Sequence, residues 1–389
     1  MIEKNYDVVV VGGGPAGSMA ARAAAHAGST VALFEKDREI GIPVRCAEGV
    51  GAKALGSLLE IRPEWISQRI SGVRFIAPSG QSVDMANDEI GFILNRKIFD
   101  ADLAKFAGDS GAHIFTKTYV EGLFFQDGHV AGVRINHLGH RMTVEAKIVI
   151  GADGVESRVG RWAGLHTQTP IHDMESCAQV TAGNLEIEPS LITFYFSHEI
   201  APGGYLWIFP KGPDIANIGL GVSGEYSREH KPVELLQNFV HRHFPRAVWL
   251  STVFGGVPCS KPLESLVADG LLLAGDAAHQ TNPLTGGGII SGMLGGKLAG
   301  ETAVKAIRTG DLGRHFLQEY ERQWQPEAEK QEKFYKIKEF VFNLRDKDFD
   351  QIAAAVLSLP AEKRTLVNIF RKALIKKPSL IFDILKLFT

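Results

Sequence analysis

Cysteine is scarce in these 389 residues: Cys46, Cys177 and Cys259 lie far apart, form no C-x-x-C pair and leave one over in any pairing scheme. That argues against a disulfide scaffold and fits a reducing cytoplasm. No stretch reaches the roughly 18 consecutive apolar residues that a spanning helix needs, so any membrane contact is peripheral. Nor does one sign of charge dominate. Against 42 Lys plus Arg stand 44 Asp plus Glu, a net charge of −2, which calls for no polyanionic partner and disfavours nucleic acid. Internal repeats and low-complexity tracts are absent, and no spacing supports a zinc site or a serine triad. From Met1 the chain runs through Glu3 and Lys4 with no apolar signal-peptide core, so the fold is expected to start at its first strand. With 45% hydrophobic and 22% charged residues the composition is that of a globular chain, long enough for two or three lobes.

Asp7–Val11 reads DVVVV, a β-branched run suited to a buried parallel strand, and a glycine cluster and an Ala-rich helical stretch follow it. TVALFE, Thr30 to Glu35, comes after Gly28 as a helix stop and completes a β-α-β unit. Short β-rich runs punctuated by Pro78-Ser79-Gly80, Asp127-Gly128 and Gly139 predict antiparallel sheet over Gly72–Leu94 and Phe115–Ile150, with a helix from Arg96 to Ser110 between them. Ile192–Phe196 and Tyr205–Phe209 predict strands of a separate sheet. Leu271–Ala274 predicts another short buried strand, a long helical region begins near Gly288, and beyond Asp311 the chain is largely helical. Its charged stretch Glu327–Lys338 is expected to be a solvated helix face.

Gly12-Gly13-Gly14-Pro15-Ala16-Gly17 fits G-x-G-x-x-G between a strand and a helix, which places a pyrophosphate at the helix N-terminus. Gly12 permits the turn, Gly14 the close approach of the phosphates and Gly17 the helix packing. Glu35, roughly 20 residues on, is placed to accept hydrogen bonds from ribose hydroxyls. That fingerprint does not separate NAD from FAD, and the later Gly275-Asp276-Ala277-Ala278-His279, with Pro283 and Gly286-Gly287-Gly288, decides for FAD. Asp276 suits a ribityl hydroxyl, and the amides around Gly287, Gly288 and Ile289 suit the flavin's pyrimidine edge. No second G-x-G-x-x-G marks a nicotinamide domain, so NAD(P)H bound transiently and a ferredoxin-like protein both remain as electron donors.

With Asp153-Gly154 between these motifs, the chain resembles flavoproteins of the p-hydroxybenzoate hydroxylase type. Their middle motif reads D-G-x-x-S-x-x-R; Asp153, Gly154 and Ser157 match, and Gly160 stands at the arginine position between Arg158 and Arg161. A narrower resemblance rests on Pro202-Gly203-Gly204-Tyr205-Leu206-Trp207-Ile208-Phe209-Pro210, which fits P-x-x-Y-x-W-x-F-P, and on Pro43-Val44-Arg45-Cys46-Ala47-Glu48-Gly49. Nearly the whole length is similar to the archaeal geranylgeranyl reductases that saturate isoprenoid chains of membrane ether lipids with reduced FAD. Ala47 stands where that family often has glycine. The resemblance implies FAD contacts at Ala16, Glu35, Cys46, Ala47, Gly49, Arg96, Val120, Asp276, Gly288 and Ile289, and a geranylgeranylated glycerophospholipid as substrate.

Tyr205, Trp207 and Phe209 alternate along one strand, so their rings share a face suited to a prenyl chain and to stabilising a cation. An isolated alkene is a poor hydride acceptor, so reduction needs a proton as well. Cys46, Tyr205 and Trp207 are the candidate catalytic residues; Tyr205 and Cys46 are placed suggestively for the proton, and water or the flavin itself remain as its source. The expected fold is α/β: a doubly wound FAD-binding domain (1–70, 95–175, 260–310), a β-sheet substrate-binding lobe (71–94, 176–259) and a C-terminal helical region (311–389). Alternatives on the same scaffold are an FAD-dependent aromatic monooxygenase or halogenase, and a non-catalytic prenyl-binding escort. Ala361–Thr389 carries seven Lys or Arg against Glu362 and Asp383, a local +5 (7 − 2). Its apolar residues fall at helical spacing, so it either packs on the body or rests on anionic lipid at the inner face of the cell membrane.

Overall fold

The computed structural model describes residues 2–365 and Asn368; most of the basic C-terminal segment therefore lies outside the described residues. In chain order the strands are β1 Asn5–Val11, β2 Val31–Phe34, β3 Gly49–Gly51, β4 Ile66–Ile76, β5 Ser82–Leu94, β6 His113–Phe115, β7 Thr118–Gln126 and β8 His129–His137. They continue with β9 His140–Gly151, β10 Met174–Gly183, β11 Leu191–Tyr195, β12 Tyr205–Pro210, β13 Ala216–Ser223, β14 Val248–Pro258, β15 Val267–Ala268 and β16 Leu271–Leu273. The helices are α1 Pro15–His26, α2 Ala52–Gly56, α3 Arg96–Asp109, α4 Arg158–Trp162, α5 Pro232–His243, α6 Ile289–Thr309, α7 Arg314–Val341 and α8 Asp346–Leu357. Two compact units result. One comprises the chain up to Val44, Arg96–Thr169 and Pro258–Gln331; the other comprises Arg45–Asn95, Pro170–Val257 and the chain from Glu332 onward.

In the first unit the β-branched run predicted as a strand is β1, and Val8, Val9 and Val10 are wholly buried. A strand covered on both faces has no polar side to alternate with, which is why it reads as an unbroken apolar run. The sheet runs β15-β16-β9-β1-β2-β6. From β16 to β6 its neighbours are parallel, and β7, β8 and β9 add an antiparallel meander. This is the doubly wound architecture the β-α-β opening predicted. Gly12 adopts φ +103°, and a Cβ there would collide with the Ala152 carbonyl. At Gly296 in α6 a Cβ would strike the Ala16 carbonyl of α1, so the two helices cross backbone to backbone.

The second unit is built on its own eight-stranded sheet, β14-β10-β13-β12-β11-β4-β5-β3. Alternation sorts its side chains. Ala178, Val180, Leu206, Ile208, Ile218 and Leu220 point to one face and pack with Leu236, Phe239 and Val240 of α5. The opposite face carries the odd-numbered residues of β10 and β12. The antiparallel sheet read over Gly72–Leu94 and Phe115–Ile150 holds for β4–β5 and for the β7–β8–β9 meander, in different sheets, whereas Phe115 and the end of β9 also belong to the parallel part of the first. The helix-rich end is also confirmed as far as it is described, with one correction. Lys338, expected on a solvated face, is buried and pairs with Asp173 at 2.9 Å. Charge runs mark a solvated face only where no buried counter-ion comes from elsewhere in the chain.

Candidate active site

In the first unit the glycine loop sits between β1 and α1. Gly14 is the N-cap of α1, with no side-chain cap on the free amides, and a Cβ on it would meet nothing within 4 Å. Free N–H groups facing open space suit an anionic phosphate. Glu35 follows β2 directly; its Oε2 accepts from Gly13 N at 2.7 Å and Oε1 from Asp37 N at 2.8 Å. These bonds fix the carboxylate and leave each oxygen further acceptor capacity for ribose hydroxyls. Thr118 at the head of β7 donates to the Glu35 carbonyl at 2.8 Å. Val120, two residues on, is buried in the core, so what it can offer a ligand is backbone.

The later motif adjoins this loop. Gly288 caps α6, again without a side-chain cap. Asp276 accepts from Thr281 Oγ1 at 2.9 Å; burial raises its pKa, and the Thr281 bond and the nearby Arg96 charge work against that rise. Arg96 is held bidentately by Asp100 at 2.6 and 2.7 Å. Ala16 packs its methyl towards Gly275 and Gly292, so it too offers backbone alone. From the middle motif, Asp153 Oδ2 accepts from Val159 N at 3.0 Å, and Ser157 Oγ donates to the Ala277 carbonyl at 2.8 Å. Asp153 Oδ1 is buried without a hydrogen-bond partner among the described residues, and burial raises that carboxyl's pKa. A Cβ on Gly160 would lie 2.6 Å from Thr167 Cγ2, which explains why no arginine stands there. Two uncapped helix N-termini, a fixed ribose-type carboxylate and an orphaned buried acceptor fit a flavin dinucleotide.

In the second unit the expected aromatic strand is β12. Tyr205, Trp207 and Phe209 are half-buried and alternate with buried Leu206, Ile208 and Pro210. Their face is wider than the motif foresaw. Phe194 of β11 lies 5.4 Å from the Tyr205 ring and 5.6 Å from the Phe209 ring, Phe75 stacks on Phe194 at 5.7 Å, and Phe196 meets Tyr205 at 6.0 Å. Each pair adds roughly 0.5–1.5 kcal/mol beyond its buried area, so the face is a rigid apolar wall.

The segment carrying Cys46 is tied to that wall by side chains the sequence reading did not single out. Gln179 of β10 donates to the Cys46 carbonyl at 2.9 Å and accepts from the Trp207 indole at 3.1 Å. Glu48 is buried with φ +74° and receives Asn217 Nδ2 at 2.6 Å together with the Lys211 ammonium. Lys211 also donates to the Leu94 carbonyl at 3.1 Å, and Thr181 orients Asn217 at 2.7 Å. The Phe209 ring lies on Gly49, where a Cβ would be 2.7 Å from its edge. The Glu48 amide donates to Cys46 Sγ at 3.2 Å. One signal was available: residues 179, 181 and 217 are polar positions set between apolar or small neighbours within strands.

The same face holds two further titratable groups on β10. Cys177 is pushed well up by burial and then by neighbouring Glu175, so its thiol is inert. Glu175 is raised to about 8, first by burial and then by Asp173, with Lys338 opposing. Neither of its carboxyl oxygens has a hydrogen-bond partner among the described residues.

Thus the first unit brings together Gly12, Gly14, Ala16, Gly17, Glu35, Arg96, Asp276, Gly288 and Ile289, and the second brings together Cys46, Ala47, Gly49, Tyr205, Trp207 and Phe209. Residues 7–199 match the family described as FAD dependent oxidoreductase, and residues 173–257 match the geranylgeranyl reductase catalytic domain. Digeranylgeranylglycerophospholipid reductase of Methanosarcina acetivorans is 44% identical over 98% of this chain and 96% of its own. Digeranylgeranylglycerophospholipid reductase 1 of Methanococcoides burtonii is 41% identical over 100% and 96%. Among solved structures, a geranylgeranyl bacteriochlorophyll reductase-like protein of Thermoplasma acidophilum superposes with a TM-score of 0.92 at 33% identity, covering 99% of both chains. A flavin-dependent brominase, at 18% identity, TM-score 0.72 and coverage of 98% and 93%, shares the fold. The chain belongs to the digeranylgeranylglycerophospholipid reductases, a family of FAD-dependent oxidoreductases.

Proposed function

We propose that the protein saturates the double bonds of geranylgeranyl chains carried by a glycerophospholipid, a step in the synthesis of archaeal membrane ether lipids. The observation that carries this reading is the Gln179 tether, which joins the Cys46 backbone to the indole of the aromatic wall at 2.9 and 3.1 Å. A prenyl chain is all apolar surface, and burying it on Tyr205, Trp207, Phe209 and Phe194 gains about 0.8 kcal/mol per methylene. Bound FAD, once reduced, supplies the hydride. The Gly14 and Gly288 helix ends would hold its phosphates and pyrimidine edge and Glu35 and Asp276 its hydroxyls; for Cys46, Ala47 and Gly49 a contact role is what the family resemblance implies. Trp207, fixed through its N–H, offers its π face to positive charge developing on the alkene.

The electron donor is NAD(P)H bound transiently or a ferredoxin-like protein; the packing at Gly160, which leaves no room for an arginine, favours the protein donor. Membrane contact is peripheral, at the cytoplasmic face. No helix among the described residues is long and apolar enough to cross a bilayer. Edge strand β14 exposes Val248, Trp249, Leu250 and Phe254, side chains of the kind that rest at an interface. The test is anaerobic incubation of chemically reduced holoenzyme with geranylgeranylated glycerophospholipid, followed by mass. Gains of two hydrogens per double bond are expected; unchanged lipid beside a flavin that stays reduced contradicts the assignment.

A further inference from the structure

Saturating an alkene takes a hydride and a proton, and the described residues place one group suited to the second on the aromatic face. Along β10, Glu175, Cys177, Gln179 and Thr181 share that face, since Gln179 reaches Trp207 and the intervening residues pack towards α5. Pairing sets Cys177 opposite Gly221 and Gly221 opposite Tyr205; Gln179 lies opposite Gly219 and Gly219 opposite Trp207. Glycine in the middle strand leaves the flanking side chains to meet. The indole fills the space over Gly219, with a Cβ there falling 2.5 Å from it, and Glu175 leans over the next glycine. Its Oε2 comes within 3.6 Å of where a Cβ on Gly221 would be and 3.2 Å of one on Gly204, the residue before Tyr205.

We propose that Glu175 is the acid that protonates the prenyl double bond, a role that rests on the reductase reading above. The carboxyl O–H bond breaks as a C–H bond forms at one alkene carbon. The π electrons leave the double bond, and the hydride supplied by the reduced cofactor completes the other carbon, so one alkane bond, one oxidised flavin and one carboxylate result. Solvent then reprotonates Glu175.

The surroundings explain why this glutamate and not its neighbours. Asp173 is neutralised by Lys338 at 2.9 Å, receives Tyr335 Oη at 3.1 Å and has His172 at 3.6 Å. Lys338 is thus already engaged, and Glu175 sits buried between Asp173, Cys177 and that pair with its proton on at neutral pH. A carboxylic acid with a pKa of about 8 stays protonated in the cell and has a proton to give near neutral pH. Once the proton has gone, the nearby Lys338 charge stabilises the carboxylate.

The experiment uses holoenzyme of wild type, Glu175→Gln and Glu175→Asp. Glutamine matches the neutral carboxyl in shape, so E175Q is expected to bind flavin and lipid while turnover falls about 100-fold, the usual scale for losing a general acid. Wild-type turnover is expected to decline above pH 8; E175D keeps such a limb at reduced rate, and E175Q lacks it. Infrared titration of wild-type holoenzyme labelled with 13C-glutamate supplies a readout independent of activity: a protonated carboxyl band with a midpoint near 8, absent in E175Q. Full turnover in E175Q with an unchanged pH profile overturns the role of Glu175 alone. So does a wild-type spectrum without that band, even if E175Q fails to fold. Wild-type enzyme that leaves the lipid unsaturated overturns the reductase reading, and the role of Glu175 with it.

Discussion

On the proposed assignment the two units recognise their ligands by opposite means. The first works with backbone: apart from Glu35, Asp276 and Arg96, its expected cofactor contacts are residues that offer amides or simply room, such as Gly14, Ala16, Val120 and Gly288. The second works with side chains locked by other side chains, from Gln179 on the Trp207 indole to Lys211 and Asn217 on Glu48. Backbone sites leave a short, regular trace in sequence, because tight turns and open helix ends demand glycine at fixed spacing. Side-chain networks leave little trace, since their members come from strands far apart in the chain.

That contrast can be broken at its strongest point first. Lys211→Met removes the cation from a buried carboxylate and is expected to destabilise the protein by about 3 kcal/mol or more, read as a fall in the denaturation midpoint; an unchanged midpoint would mean that the network does not hold the Cys46 segment. Gly14→Val comes next. A Cβ there meets no protein atom within 4 Å, so the fold should survive in circular dichroism while FAD affinity drops at least about 100-fold, roughly 2.7 kcal/mol. Retention of FAD would put the phosphates elsewhere.

A subtler cut is Gln179→Leu, which frees the indole and the Cys46 carbonyl while FAD stays bound. Turnover is expected to fall about tenfold, with roughly 1–2 kcal/mol of stability lost as hydrogen bonds go unmade; unchanged turnover and an unchanged denaturation midpoint would contradict the tether. The pH dependence of stability gives a further check on the second unit. Glu175 has a folded pKa of about 8, above its ordinary 4.5, so between those values the unfolded chain releases a proton that the folded one keeps. Rising pH therefore erodes stability across pH 4.5–8, by at most about 1.4 kcal/mol per unit, and no further above 8. E175Q should flatten that slope in urea melts at pH 5, 6.5 and 8.

Much of the fold was legible from the chain alone. DVVVV, the glycine fingerprint and the Gly275-Asp276 motif marked the doubly wound unit, and the alternation of Tyr205, Trp207 and Phe209 marked the aromatic face. What escaped notice has a common cause. Phe75, Phe194 and Phe196 join that face through strand pairings that no local pattern declares, Lys338 reads as a surface charge until Asp173 is folded beside it, and Glu175 becomes an unusual carboxyl only when burial removes its water. Propensity and spacing report on neighbours in sequence; desolvation and cross-strand contact depend on neighbours in space.

The most direct measurement is a single turnover without oxygen: reduced holoenzyme mixed with geranylgeranylated glycerophospholipid, with flavin absorbance and lipid mass followed in the same sample. The account predicts one flavin reoxidised for every two hydrogens the lipid gains, whereas flavin that stays reduced over unaltered lipid would contradict it.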